Sequence, residues 1–386
     1  MHYAIVTETY PPQVNGVALT VRALEQGLQA RGHRVTLVRP RQPGEHGADA
    51  DADADALRVA GLPLPLYSGL RFGLPAGARL RRHWRADTPD AVYVATEGPL
   101  GWSAVRAARA LGVPVATGLH TRFDRYMREY GLGALERIAW AWMRRFHNRG
   151  DATLVPTREL AAELSAHGFR RPLRLPRAVD THRFSPDRRD PALRSQWGID
   201  AAQLAVIHVG RIAPEKNLGL VVQAFRAIQR VRPDARLVWI GDGPSRVALQ
   251  REHPDFVFRG MQHGDALAAH VASGDLFLFP SRSETFGNVT VEAMASGVAT
   301  VAFDCGAARE HLRHGLHGGC VPPGDAAAYI DAAVCLAADD RLRAACGAAA
   351  RRAVSTLRPA QLAADFDALL QGLMPRGGPH GSPAAA

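Results

Sequence analysis

Cysteine is scarce: Cys305, Cys320, Cys335 and Cys346 are the only four in 386 residues, all in the last third and none in a C-x-x-C pair. That excludes a disulfide-stapled scaffold and argues against a zinc site, so reduced thiols are expected. Long apolar runs are absent. None approaches the ~20 residues that span a bilayer, so no transmembrane helix is expected. The first residues do not read as a secretory leader, because the apolar start breaks at once into polar residues and Pro11-Pro12. A cytoplasmic location is the expectation. Lysine is nearly missing, Lys216 being the only one among 47 lysines and arginines. A composition that prefers arginine so strongly reflects a GC-rich coding bias, and it singles out Lys216.

What remains is ordinary for a globular protein: 47% hydrophobic and 22% charged residues, which excludes global disorder and fibrous classes. The length exceeds the roughly 100–200 residues of one domain, so two are expected. A formal net charge of +10 points towards anionic partners. Nucleic acid is not expected among them, because the arginines are spread along the chain and no helix-turn-helix or RNA-binding signature is present.

Short apolar runs alternate with helical patterns, which is the mark of an α/β protein with mostly parallel sheets. In the first half, strands are expected at Tyr3–Thr7, Arg34–Arg39, Leu57–Ala60, Ala91–Thr96, Val113–Leu119, Ala152–Val155 and Leu173–Leu175. A second series follows at Leu204–Val209, Ala235–Ile240, Phe256–Phe258, Leu276–Phe279 and Ala299–Phe303, with helices between. The Ala-Asp alternation at 48–56 cannot bury a face and reads as an exposed loop. The resulting division is a Rossmann-like domain over 1–180, a linker over 181–190, a second Rossmann-like domain over 191–374 and a frayed tail over 375–386, with the two sheets facing across a cleft.

Chemistry concentrates at the carboxyl ends of the second series, where α/β sheets bind ligands. Gly210-Arg211-Ile212-Ala213-Pro214-Glu215-Lys216-Asn217 follows a buried strand. Arg211 and Lys216 combine a planar fork with a compact point charge and suit a diphosphate. The competing account is a solvated loop in which Glu215 and Lys216 pair. Ser281 to Glu292 is more specific. Gly287 allows close backbone approach, Asn288 is a good N-cap, and the free N–H groups of the helix behind form an anion site. Glu284 and Glu292 suit sugar hydroxyls rather than phosphate. Asp242, in Gly241-Asp242-Gly243-Pro244, belongs equally well to a ligand loop or to a plain strand-to-helix turn.

In the first half, Asn15-Gly16-Val17 opens a helix but lacks G-x-G-x-x-G, which argues against a dinucleotide site. Gly16 allows backbone contact with a ligand or serves a left-handed turn. His120 stands at a strand's carboxyl end, a position that competes with the usual role of a lone histidine as a packed residue. Residues 122–149 mix Arg122, Arg125, Arg128, Arg144, Arg145 and Arg149 with Phe123, Tyr126, Met127, Trp140 and Trp142. Such a surface suits anionic headgroups, or it is an ordinary helix with arginine outside and tryptophan inside. Asp51-Ala52-Asp53 matches a metal-binding D-x-D formally, but it lies in the repetitive loop with no buried strand before it.

The run S-R-S-E-T-F-G-N-V-T-V-E-A-M-A-S-G, with its E-x7-E pair Glu284 and Glu292, and G-R-I-A-P-E-K-N resemble the retaining glycosyltransferases of family 4, which have the GT-B fold. The resemblance covers nearly the whole chain. T-E-T-Y-P-P-Q-V-N-G-V, G-L-P-L-P-L-Y and H-T-R-F-D-R-Y-M-R-E-Y-G-L-G are similar to the branch holding GDP-mannose-dependent α-mannosyltransferases and sulfoquinovosyl-diacylglycerol synthases. The resemblance implies a hexose moved from GDP-mannose or a UDP-hexose to an acceptor hydroxyl of a sugar, lipid or glycolipid. It places Arg211 and Lys216 on the diphosphate, Glu284 on the donor sugar, Glu292 on the ribose, and His120 over the sugar. Gly16, Asp242, Phe286, Gly287 and Asn288 belong to the donor site on the same ground. No cofactor and no metal are implied, and peripheral association with an anionic membrane is. Leu175–Pro186 resembles the family's G-V-D-x-x-x-F-x-P with Ala178 in place of the usual Gly. The alternatives are a sugar-nucleotide 2-epimerase of the same architecture and a non-catalytic basic protein that binds nucleic acid or membrane.

Overall fold

The computed structural model describes residues 1–13, 15–42, 45, 56–63, 71–120, 136–282 and 284–374. The D-x-D at Asp51 and Asp53, most of the loop expected at 48–56, the basic and aromatic run from Arg122 to Arg128 and the tail expected at 375–386 lie outside the described residues.

In the first half the strands are β1 (His2–Val6), β2 (Arg34–Pro40), β3 (Ala56–Val59), β4 (Gly61–Pro63), β5 (Arg71–Gly73), β6 (Ala91–Val94), β7 (Val115–Gly118), β8 (Ala152–Val155) and β9 (Pro172–Arg174). Seven of them form a parallel sheet in the order β3-β2-β1-β6-β7-β8-β9, while β4 and β5 pair as an antiparallel ribbon. Its helices are α1 (Gly16–Ala30), α2 (Gly77–Ala86), α3 (Pro99–Ala110), α4 (Glu136–His147) and α5 (Arg158–Ala166). The period of two on β1 divides the core. Tyr3 and Ile5 pack with Leu24 and Leu28 of α1 on one face, and Ala4 and Val6 with Leu100 and Ala104 of α3 on the other.

The second half repeats the plan with α6 (Pro191–Gln196), β10 (Ala205–Val209), α7 (Leu218–Val231), β11 (Arg236–Ile240), α8 (Arg246–Glu252), β12 (Val257–Phe258), α9 (Gly264–Ala272), β13 (Leu276–Phe279), α10 (Asn288–Ala295), β14 (Ala299–Phe303), α11 (Gly306–His311), β15 (Gly318–Val321), α12 (Ala326–Ala338), α13 (Asp340–Val354) and α14 (Pro359–Gln371). Its sheet is parallel throughout, in the order β12-β11-β10-β13-β14-β15. The expected strands are all present, trimmed by a residue or two at some ends. Strands β4, β5 and β15 and helices α6, α11, α13 and α14 are additions to the sequence reading.

Helix α14 lies apart from the rest of the second half. It packs along α1, its Phe366 and Leu370 enter the core beside Tyr3, and Asp367 accepts a hydrogen bond from the Tyr3 hydroxyl at 2.7 Å. Residues 359–371 therefore pack with the first half, unlike the division that kept 191–374 together. The halves also meet where Arg174 pairs with Glu310 at 2.8 Å and where the Val179 N–H donates to the Leu357 carbonyl at 2.8 Å. Among the described residues no helix is long and apolar enough to cross a membrane.

Candidate active site

Strand order reverses beside β10: β11 lies on one side and β13 on the other. A crevice opens at such a switch point, outside the carboxyl ends of the strands. The loop after β10 carries Arg211 and Lys216, and the loop after β13 carries Glu284. The chain folds tightly here because of glycine. The Gly210 N–H donates to the Ile240 carbonyl at 3.0 Å, and the Ile212 N–H to the Asp242 carbonyl at 2.9 Å. A Cβ on Gly241 would stand 1.9 Å from the Gly210 carbonyl oxygen, and Gly241 has φ +141°. The two loops can approach this closely only without that side chain.

Lys216 ends a short 3-10 turn, Pro214–Lys216, and Asn217 takes a left-handed conformation that redirects the chain into α7. The Lys216 ammonium donates to Glu284 Oε1, lies 5.7 Å from the centroid of Phe279, and leaves both partners mostly buried. Ser281 donates to the same carboxylate oxygen at 2.8 Å. Burial alone would raise the Glu284 carboxyl. The Lys216 charge and the bonds from Lys216 and Ser281 outweigh it and hold the group below its ordinary value. Lys216 thus pairs with Glu284 rather than Glu215. The Glu215 carboxylate is buried and lies 3.5 Å from Arg211.

Gly287, at φ +89°, is the residue that caps α10, and Asn288 is the helix's first residue. This corrects the expectation of Asn288 as N-cap: only the glycine accepts the left-handed turn that starts the helix. Phe286 buries its ring in the core against His311, and its carbonyl accepts the Ala307 N–H at 2.6 Å. Any ligand contact from Phe286 falls to its backbone. Glu292 follows on α10, partly buried, and its carboxyl has no hydrogen-bonding partner among the described residues. Burial pushes it up to about 7. Asp242 serves its own turn, accepting from the Gly243 N–H at 2.8 Å and from Arg246 at 2.9 Å.

Across the cleft, Asn15 caps α1 by accepting from the Ala18 N–H at 2.9 Å. Gly16 is helical, so its lack of a side chain provides space rather than a left-handed turn. The position its Cβ would occupy lies 3.9 Å from Asn288 Nδ2. The amino ends of α1 and α10 therefore face each other, and Lys216, Glu284, Gly287 and Asn288 gather around the second of them, with Arg211 on the loop that carries Lys216. The two free-N–H ends and the nearby cations favour an anion between them.

His120 sits at the end of β7, with Tyr93 Oη 2.8 Å from Nε2 and Arg177 Nη2 2.6 Å from Nδ1. A guanidinium only donates, so Nδ1 accepts, and the neutral ring carries its proton on Nε2 towards Tyr93. Burial, with the Arg177 charge adding to it, holds the imidazole well below its ordinary value. Both nitrogens of the ring face protein. Sequence reasoning missed Arg177, which is one arginine among many. It also missed His208 on β10. That ring donates from Nδ1 to the Leu278 carbonyl at 2.9 Å, and its buried Nε2 has no partner among the described residues. A histidine in the apolar run A-V-I-H-V was the available signal.

Two doubly wound parallel halves facing across a cleft, with a switch point in the second sheet, make the GT-B architecture. Solved structures share the fold: Anabaena HepE in complex with UDP (TM-score 0.77, 18% identity, 97% of this chain and 100% of that one) and sucrose-phosphate synthase from Thermosynechococcus elongatus (TM-score 0.75, 18% identity, 96% and 98%). Residues 14–183 match the model of Glycosyltransferase Family 4, and residues 203–339 that of Glycosyl transferases group 1. A GDP-mannose-dependent alpha-mannosyltransferase of Mycolicibacterium smegmatis is 39% identical over 80% of this chain and 81% of its own length. The like-named protein of Mycobacterium tuberculosis is 36% identical over 91% of both. A sulfoquinovosyl transferase of Arabidopsis thaliana is 32% identical over 75% of this chain and 58% of its own. The chain belongs to glycosyltransferase family 4.

Proposed function

We propose that the protein moves mannose from GDP-mannose, with retention at the anomeric carbon and without a metal, to a hydroxyl of a lipid or glycolipid. The observation that carries the reading is the Lys216–Glu284 pair at the switch point, facing the amino end of α10. In the reaction the bond from the anomeric carbon to the diphosphate oxygen breaks, and negative charge grows on the departing phosphate. Arg211, Lys216 and the α10 N–H groups oppose that charge. Preorganised donors of this kind contribute roughly 2.7–4 kcal/mol each to the transition state. Glu284 exchanges its contact with Lys216 for the hydroxyls of the donor sugar, and the unpartnered Glu292 carboxyl takes the ribose hydroxyls. Retention is carried over from the family. GDP-mannose is preferred to a UDP-hexose because the mannosyltransferase relatives are similar over most of their length.

The lipid acceptor is supported by α4. Ile138 is 65% exposed and Trp142 49%, one turn apart on the same face, with Arg145 exposed beside them and Arg137 and Arg144 exposed on the flank of the helix. Exposed apolar side chains on a helix rich in exposed arginine suit the boundary of an anionic membrane.

The test is a donor panel of GDP-mannose and UDP-hexoses, with and without vesicles carrying lipid acceptors. Released nucleoside diphosphate is measured, the product anomer is read by NMR, and each arm is repeated in EDTA. An α-mannosyl product, acceptor-dependent and unaffected by EDTA, is expected. Donor turnover without any acceptor supports the epimerase instead, and loss in EDTA contradicts metal independence. Co-sedimentation with anionic vesicles at low and high salt tests the α4 surface against Ile138→Ser/Trp142→Ser.

A further inference from the structure

Three arginines are buried among the described residues: Arg39, Arg177 and Arg194. Arg39 is held by Glu45 at 2.6 Å and Arg194 by Asp275 at 2.9 Å. Arg177, only 9% exposed, has no carboxylate partner among the described residues, where its one hydrogen bond runs to the neutral ring of His120. A buried guanidinium is costly unless a negative charge meets it, and its planar fork fits a carboxylate, sulfonate or phosphate.

The location is specific. Arg177 follows β9, between Arg174, which pairs with Glu310 of the second half, and Val179, which bonds to Leu357. It therefore lies at the junction of the halves, beside His120 at the carboxyl end of β7. The nucleotide diphosphate is already provided for on the opposite side by Arg211, Lys216 and α10. We propose that Arg177, held in place by His120, binds an anionic group on the acceptor. The proposal rests on the glycosyltransferase reading and gives its acceptor a charge.

The experiment measures binding by calorimetry in the presence of saturating GDP, using matched probes: octyl glucuronide against octyl glucoside, and glycerol 3-phosphate against glycerol. Wild type is expected to bind at least one anionic probe about ten- to a hundredfold more tightly than its neutral twin, the range of a charge-assisted contact. Arg177→Gln should lose that preference, Arg177→Lys should keep part of it, and Arg170→Gln, an exposed charge control, should keep all of it. No preference in wild type overturns the proposal. So does an equal loss on charged and neutral probes, which marks a structural role, or a preference retained in Arg177→Gln. If Arg177→Gln instead weakens GDP binding by tenfold or more, the side chain belongs to the donor and the proposal fails. Failure of wild type to bind either GDP or UDP would count against the glycosyltransferase reading, a separate result.

Discussion

Glu292 shows how much one side chain's surroundings decide. Its carboxyl is pushed from an ordinary 4.5 to about 7 by burial alone, with no hydrogen bond to oppose it. Between those values the folded protein keeps a proton that the unfolded chain has released. Stability from this group therefore falls as pH rises from 4.5 to 7, and the cost is complete above 7. Glu292→Gln removes the ionisation. Its stability relative to wild type should be near zero at pH 4.5 and positive at pH 8, by roughly 3 kcal/mol at about 1.4 per unit. Denaturant unfolding at the two pH values checks this, and a pH-independent difference contradicts it. Glu8, also pushed up to about 7 by burial, is common to both proteins and cancels. The same variant should bind nucleotide less well, because it trades an ionic acceptor for an amide. Glu284 and Glu292 were legible in the sequence because their spacing follows an apolar strand and a glycine. Arg177 was not, because its burial depends on the distant meeting of β7, β9 and the second half.

At the scale of elements, the site is a set of loops whose backbones touch. Gly241 belongs to both loops in the sense that any side chain there strikes the Gly210 carbonyl. Gly241→Ala should cost about 1–3 kcal/mol of stability through strain at positive φ and displaced backbone. It should also weaken nucleotide binding more than Gly324→Ala, where φ is +92° but no atom lies within 4 Å of the added Cβ. Calorimetry with GDP compares them, and equal affinities would remove the loop contact from the account. The strands around these loops were readable because L-F-L-F, A-T-V-A-F and A-V-I-H-V are short apolar runs that end in turn residues. Strand β15, G-G-C-V, has no such run. It is a strand because Gly318 and Gly319 let it lie close to β14, a tertiary reason that local pattern does not carry.

The whole molecule is closed by α14, which crosses from the second half to seal the first core. Asp367, 3% exposed at its side chain, accepts from Tyr3, from His33 at 2.9 Å and from Arg31. Burial would raise its carboxyl, but these bonds together hold it at about 2, against an ordinary 3.8. That contribution is present above 3.8 and is lost as pH falls towards 2, amounting to roughly 2–3 kcal/mol. Asp367→Ala should lower stability by at least that amount at pH 7, and the deficit should shrink below pH 4. A deficit that stays constant to pH 2.5 contradicts the ionic contribution. The sequence division at 374 missed this crossing because P-A-Q-L-A-A-D-F-D-A-L-L-Q marks an amphipathic helix without saying which core it covers.

Lys216, the only lysine in the chain, is where the account is most exposed. Donor turnover by wild type, Lys216→Ala and Lys216→Arg should be compared by nucleoside diphosphate release, with folding verified by circular dichroism. Removing the charge should lower kcat/KM by one to two decades, the worth of a charge-assisted contact of roughly 1.5–3 kcal/mol. Arginine should restore only part, since a planar fork does not replace a point charge. Wild-type kcat and KM in a folded Lys216→Ala protein would contradict the assignment of this site to the diphosphate.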